Sequence, residues 1–231
     1  MLQKYYLKGV YRGKVTQSYG LETAINKTRV DEPLFLSIDG LEGDKCADSR
    51  YHGGAERALH QYPHEHYTYW ENKYGKTNSW KAPGMGENLS SEGVTENTVC
   101  IGDKFRWGEA IVEISQPRSP CFKLNKRWGI ESFSNSMQKI NHCGWLYRVI
   151  QSGMVSVNEP LELIERAPNV MTVREVCDIF FGDPLNREKL QTLKQQTKLS
   201  HSWLRQIEQR LLSDEVENWN FRLLGHANTV A

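Results

Sequence analysis

At 231 residues, with 39% hydrophobic and 25% charged residues, the chain has ordinary globular usage. This excludes a disordered or fibrous protein and leaves room for one large domain or a domain with a small satellite. Lysine plus arginine number 29 against 28 acidic residues, so there is no global basic field for nucleic-acid binding and any anion site must be local.

The opening stretch Met1–Lys8 lacks the apolar run of a signal peptide, and no later segment is long and apolar enough to span a bilayer. A cytoplasmic protein without a membrane partner is expected. The five cysteines (46, 100, 121, 143, 177) are odd in number and contain no Cys-x-x-Cys pair, which argues against a disulfide framework and a zinc knuckle.

Residues 1–168 read mainly as short strands at close intervals, which predicts a closed or nearly closed β-barrel. Gly40-Leu41-Glu42-Gly43-Asp44 is most simply a turn or bulge requiring positive φ. In His52-Gly53-Gly54-Ala55-Glu56-Arg57, paired glycines allow close backbone approach and Arg57 offers a bidentate fork for an anion, although an ordinary tight turn is the plainer use.

A helix is predicted to begin near Pro63, with His66, Tyr67, Trp70 and Tyr74 recurring at three- and four-residue spacing. Residues 71–82 then read as a surface connection. His64 and His66 do not share a helix face and fit packing better than metal binding. In Gly84-Met85-Gly86-Glu87-Asn88-Leu89, the Asn88 amide can hydrogen-bond a planar heterocycle or satisfy its own loop.

Thr98–Trp107 reads as a hairpin, with Val99 and Ile101 before a Gly102-Asp103 turn and Phe105 and Trp107 after it; Ala110, Val112 and Ile114 continue the pattern. The densest candidate site follows, Ser115-Gln116-Pro117-Arg118-Ser119-Pro120-Cys121-Phe122-Lys123-Leu124. Two prolines restrict the backbone ahead of Cys121. Arg118 and Lys123 flank it, and cations favour the thiolate that binds metals or attacks electrophiles. A buried structural cysteine in a strand-end turn competes evenly with that reading.

Further strands are expected at 147–150, at 154–157 after a Gly153 turn, and at 161–164. Past Pro168 three helices are predicted. Thr172–Glu175 forms a capping box for the first, which Gly182-Asp183-Pro184 stops. The second runs from Leu185 or Asn186 to about Gln196. Ser200 caps the third, with a stripe of Trp203, Leu204, Ile207, Leu211 and Leu212. The division expected is 1–168 and 169–225.

Taken in order, Gly-Leu-Glu-Gly-Asp at 40–44, His-Gly-Gly-x-x-Arg-Ala-Leu at 52–59, Gly-Glu-Asn-Leu at 86–89, Ile-Gly-Asp at 101–103, Ser-Gln-Pro-Arg-x-Pro-Cys-x-Lys-Leu at 115–124 and Gly-Trp-Leu-Tyr-Arg-Val at 144–149 resemble the YiiM branch of the MOSC family. The resemblance implies a mainly β fold, a MOSC β-barrel followed by a small three-helix bundle. It implies a molybdenum cofactor (molybdopterin) whose metal is ligated by Cys121. The matching positions for the cofactor are His52, Arg57 and Arg118 at its phosphate, with Lys27 as a further position, Asn88 at the pterin, and Ser119 and Lys123 beside the cysteine.

The activity so implied is reduction of small N-hydroxylated compounds such as a hydroxylaminopurine. The chain has no Gly-x-Gly-x-x-Gly fingerprint, so electrons are expected from a separate flavoprotein or iron–sulfur protein. Trp203, Arg205 and Arg210 are candidate docking residues, with dimerisation or packing on the barrel as plainer uses. Monomer and homodimer both stay open. Two rival readings remain: a cofactor carrier or sulfur-relay (persulfide) protein without turnover, and a cysteine hydrolase pairing Cys121 with His52 or His142.

Overall fold

The computed structural model describes residues 2–48, 53–76 and 79–225. The strands are β1 (Lys4–Tyr5), β2 (Leu7–Gly13), β3 (Thr16–Ser18), β4 (Leu21–Thr23), β5 (Lys27–Val30), β6 (Leu34–Ser37), β7 (Gly40–Leu41), β8 (Leu59–Pro63), β9 (Leu89–Ser91), β10 (Lys104–Trp107), β11 (Ala110–Pro117), β12 (Trp145–Gln151), β13 (Gly153–Val155) and β14 (Leu161–Glu165).

Nine of them form one sheet in the order β1-β14-β10-β11-β12-β8-β9-β2-β5. Every pair is antiparallel except β8 with β9. β1 stands at one end and β2 one strand from the other, yet only Tyr6 separates them in the chain. The sheet therefore curls until its ends approach. No ladder joins those ends among the described residues, so of the expected closed or nearly closed barrel, a closed one is not found. The remaining strands pair apart from it, in a β3–β4 hairpin and a small β13-β6-β7 sheet.

The expected hairpin at 98–107 is also corrected. Val99 and Ile101 are buried, but Val99 lies in irregular chain and Ile101 in a turn, because the Asp103 carboxylate accepts the Cys100 amide at 2.8 Å and binds Arg166 through two oxygens, which holds the chain off the strand path. The ladder runs between β10 and β11 instead. Likewise β13 pairs with β6 rather than folding back on β12.

Pro63 closes β8, and helix α1 runs over Glu65–Tyr74. The stretch read as a surface connection holds Trp80, buried and stacked on Trp128 at 4.0 Å. Two short helices escaped the period analysis, α2 (Phe122–Trp128) and α3 (Phe133–Ile140). With α1 they enclose an aromatic cluster that includes Tyr62, Trp70 and Phe133. Strand β8 divides this cluster from the main core, since Leu59 belongs to one and Tyr62 to the other.

The tail contains α4 (Val173–Cys177), ending in a π-helical turn over Asp178–Gly182, then α5 (Arg187–Lys194) and α6 (His201–Ser213). The capping box forms at Thr172 and Glu175, and Asn186 and Ser200 cap the next two helices. Val176, Leu190, Trp203 and Ile207 merge with the core of the large sheet. Trp203 and Arg210 are buried, so of the candidate docking residues Arg205 alone is exposed. A last helix, α7 (Asn220–Leu224), returns to α2 and α3. Among the described residues no helix is long and apolar enough to cross a membrane.

Candidate functional site

Cys121 is placed by the end of β11. The Arg118 amide donates to the Gly144 carbonyl at 3.0 Å, which ties the loop to the chain entering β12. Pro117 and Pro120 leave the loop little torsional freedom. Cys121 then caps α2 in an extended conformation, φ −134° and ψ 164°, and the Leu124 amide donates to its carbonyl at 3.0 Å. Cys121 is buried but belongs to neither apolar cluster.

Charge gathers around this loop. Arg118 directs Nη1 to the Met137 sulfur at 3.5 Å, a weak acceptor. His60 on β8 is pushed well below the usual imidazole range, first by burial and then by the positive charge of Arg118 and, more weakly, Lys27. His60 is therefore neutral, its Nε2 lying 3.4 Å from the Cys143 carbonyl. Ser119 is half-buried between the prolines. Lys123 reaches the Glu22 carbonyl at 3.3 Å, and Arg127 donates to the Asn26 side chain. These two contacts tie α2 to the segment leading into β5.

Lys27 and Asn88 meet at a residue read only as part of a turn. Asp44 binds Lys27 Nζ at 2.5 and 2.7 Å, the Gly13 amide at 2.6 Å and Asn88 Nδ2 at 2.8 Å. Asn88 also donates to the Tyr11 carbonyl and accepts the His60 amide, both at 3.1 Å. The Asn88 side chain thus joins β2 to β8 and is occupied by protein partners. Gly43 and Asp44 also line a surface depression together with residues between Phe35 and Lys45.

Arg57 ends a 3-10 turn at Ala55–Arg57 and is half-buried ahead of β8. His52 lies outside the described residues. Loop 84–88 is held from below by Glu87. Its carboxyl accepts the Tyr67 hydroxyl at 2.6 Å and the Met85 amide at 3.0 Å, and burial raises its pKa to about 7.

His142 stacks face-on against His66, with centroids 3.9 Å apart, while His66 contacts Glu96 at 2.7 Å. Burial first, and then His66, lower the His142 pKa to about 4. Among the described residues no three His, Cys, Asp or Glu side chains converge as a metal cage.

Reading the sequence missed His60, Asp44 and Arg222. Asp44 had a signal, since it ends a glycine-bracketed motif whose carboxylate needed a partner. Arg222 had none, because it reaches the cysteine loop from 102 positions away: its Nη1 donates to the Pro120 carbonyl at 2.7 Å.

Comparison with known proteins matches a MOSC domain at residues 48–162 and a YiiM-like, 3-alpha helix domain at residues 171–214. The chain is 45% identical over 219 residues to the Protein YiiM of Escherichia coli, covering 94% of this chain and 97% of that relative. The crystal structure of YiiM from Escherichia coli superposes with a TM-score of 0.84 at 40% identity, covering 96% of this chain and 100% of the other. A protein of Gibberella moniliformis named Reductase is 35% identical over 161 residues, which is 69% of this chain but only 28% of that longer protein.

Proposed function

Because the chain belongs to the MOSC-domain family in its YiiM branch, we propose that it is a molybdenum-cofactor-dependent reductase of small N-hydroxylated compounds, with Cys121 as the protein's ligand to the metal. The observation that carries this is the setting of Cys121, a rigidly held sulfur at a strand-to-helix junction whose loop is served by Arg118 and Arg222. The relative named Reductase supports the class of chemistry.

The donor set fits such a group. A soft thiolate suits a metal that already carries sulfur ligands, and guanidinium groups suit the phosphate of a pterin. When bound, the cofactor supplies two-electron redox chemistry. The chain's own residues hold and orient it. Cys121 would fix the metal, and Arg118 would offer the phosphate a cation whose guanidinium, among the described residues, donates to a thioether sulfur. Neutral His60 lends no positive charge of its own, which leaves the attraction for the phosphate to the guanidinium groups. Arg57, Ser119, Lys123 and His52 complete the proposed cofactor set. Lys27 and Asn88 serve it from behind through Asp44.

The reaction consumes two electrons and two protons, breaks the N–O bond, and releases the amine and water. The electrons come from a separate flavin or iron–sulfur protein.

Protein purified from a molybdenum-replete host should hold close to one metal per chain and oxidise a chemically reduced dye when given a hydroxylamino base. Cys121→Ala should lose both the metal and the turnover. Loaded protein that never oxidises the dye with any such substrate would replace this reading with a cofactor carrier, and a fully active Cys121→Ala variant would remove the ligand.

A further inference from the structure

Helix α7 lies beyond both family matches, which end at residues 162 and 214, and it is built into the cysteine loop. The Leu223 carbonyl accepts Asn125 Nδ2 at 2.7 Å and Ser134 Oγ at 2.8 Å, while the Ser134 amide donates to Asn125 Oδ1 at 2.8 Å. One residue from α2 and one from α3 therefore both serve a single carbonyl near the end of α7. Gly225 follows with φ +84°, and a Cβ there would stand 2.9 Å from the ring of Phe122, the residue after Cys121. A side chain has neither the backbone freedom nor the space at that position.

Arg222 reaches the loop itself. Nη1 donates to the Pro120 carbonyl and Nη2 to Gln138 Oε1, each at 2.7 Å. The guanidinium lies 5.8 and 5.9 Å from the ring centroids of Phe181 and Trp219. Burial lowers its pKa to about 10, although the nearby Cys143, Cys121 and Glu217 act in the opposite sense. The residue is half-buried, and taking even part of a cation out of water is costly unless it is well bonded; the Pro120 and Gln138 oxygens supply those bonds.

The geometry points to Arg222 as a positioning residue for Cys121, and to α7 as the strap that carries it. The proline ring fixes φ at Pro120, and the peptide that follows is planar, so the torsion about the Cα–C bond is the one soft rotation left to Pro120 and sets the peptide plane that leads into the cysteine. A charge-assisted hydrogen bond to the Pro120 carbonyl holds that peptide plane, and with it the amide and Cα of Cys121. The three-helix tail supplies the anchor. Arg210 binds Glu217 through two hydrogen bonds of 2.9 and 2.7 Å, and so fixes the connection that leads into α7. The benefit to cofactor retention rests on the function proposed above, whereas the positioning itself does not.

Hydrogen exchange on the cofactor-free full chain separates the two. In Arg222→Gln, amides 121–124 should exchange about tenfold faster than in the parent while β11 stays unchanged, the size expected when one charge-assisted hydrogen bond is lost. Arg222→Lys keeps a charge and a donor and should restore much of the protection. If Arg222→Gln does not fold, Gln138→Leu removes one arm of the fork and is read in the same way. Exchange at 121–124 within about twofold of the parent, or identical behaviour of the Lys and Gln variants, would overturn the proposal. Release of molybdenum from loaded protein, measured in parallel, should quicken in Arg222→Gln. A parent that never holds molybdenum, with exchange still accelerated in the variant, would defeat the functional reading while upholding the positioning.

Discussion

Lys27 Nζ lies 2.5 Å from one carboxylate oxygen of Asp44 and 2.7 Å from the other, with the lysine side chain 8% and the aspartate 15% exposed. This pair joins β5 to the glycine-rich turn and, through Asn88, to β8. Removing one partner leaves a buried charge without its counter-ion, a change that typically costs about 3–5 kcal/mol. Lys27→Met should therefore lower the denaturant midpoint as well as cofactor content. The double variant Lys27→Met/Asp44→Leu should lose less than the two single losses added together. Additive losses in the denaturation series would show that the pair is not coupled.

Arg118 is expected to behave differently. Its guanidinium is half-buried and its hydrogen bond is to a thioether sulfur, so Arg118→Gln removes little that the fold depends on. The variant should melt within a few degrees of the parent, about the effect of 1 kcal/mol in a chain of this size, and should lose most of its molybdenum on purification. Full metal content in Arg118→Gln would take this residue out of the cofactor site.

The contrast between these two cations shows what was legible in the sequence. Strands such as β10, β11 and β14 and the three tail helices announce themselves through period and capping, and Thr172, Asn186 and Ser200 do cap helices as expected. Cys121 stands out because prolines and charges cluster within a few positions. The division into three sheets was not legible, because β3, β4, β6 and β7, which pair outside the large sheet, are each too short to carry a pattern of their own. Nor was the state of Lys27. A lysine reads as a free cation until its carboxylate is found, and Asp44 is 17 residues away.

Arg210 gives the tail a test of the same kind. It is buried, donates to the Phe180 carbonyl at 2.8 Å, lies 3.8 Å from the Phe180 ring centroid, and is paired with Glu217. Arg210→Met should destabilise the bundle by about 3 kcal/mol, the loss typical of breaking a well-bonded buried pair. Glu217→Gln should cost less, since that carboxylate is one-third exposed and keeps an oxygen for Trp219 Nε1. A thermal unfolding series that ranks the two variants the other way would show that leaving the buried Arg210 without its counter-charge costs more than losing its contacts altogether.

Glu87 should write a pH dependence into the stability of the protein. Burial raises its folded pKa to about 7, so the folded state binds a proton more tightly than the unfolded chain, whose carboxyl titrates near its ordinary value. Stability from this group is fully present below the unfolded pKa and is lost as pH rises through about 7. Glu87→Gln mimics the protonated acid: its oxygen accepts the Met85 amide and its amino group donates to Tyr67, so it should match the parent near pH 5. By pH 8 it should be the more stable of the two, by roughly 3 kcal/mol as an upper bound. Denaturant midpoints of both proteins at the two pH values test this. A gap that stays constant with pH would mean that Glu87 remains ionised in the fold and that Tyr67 and Met85 stabilise a carboxylate there rather than an acid.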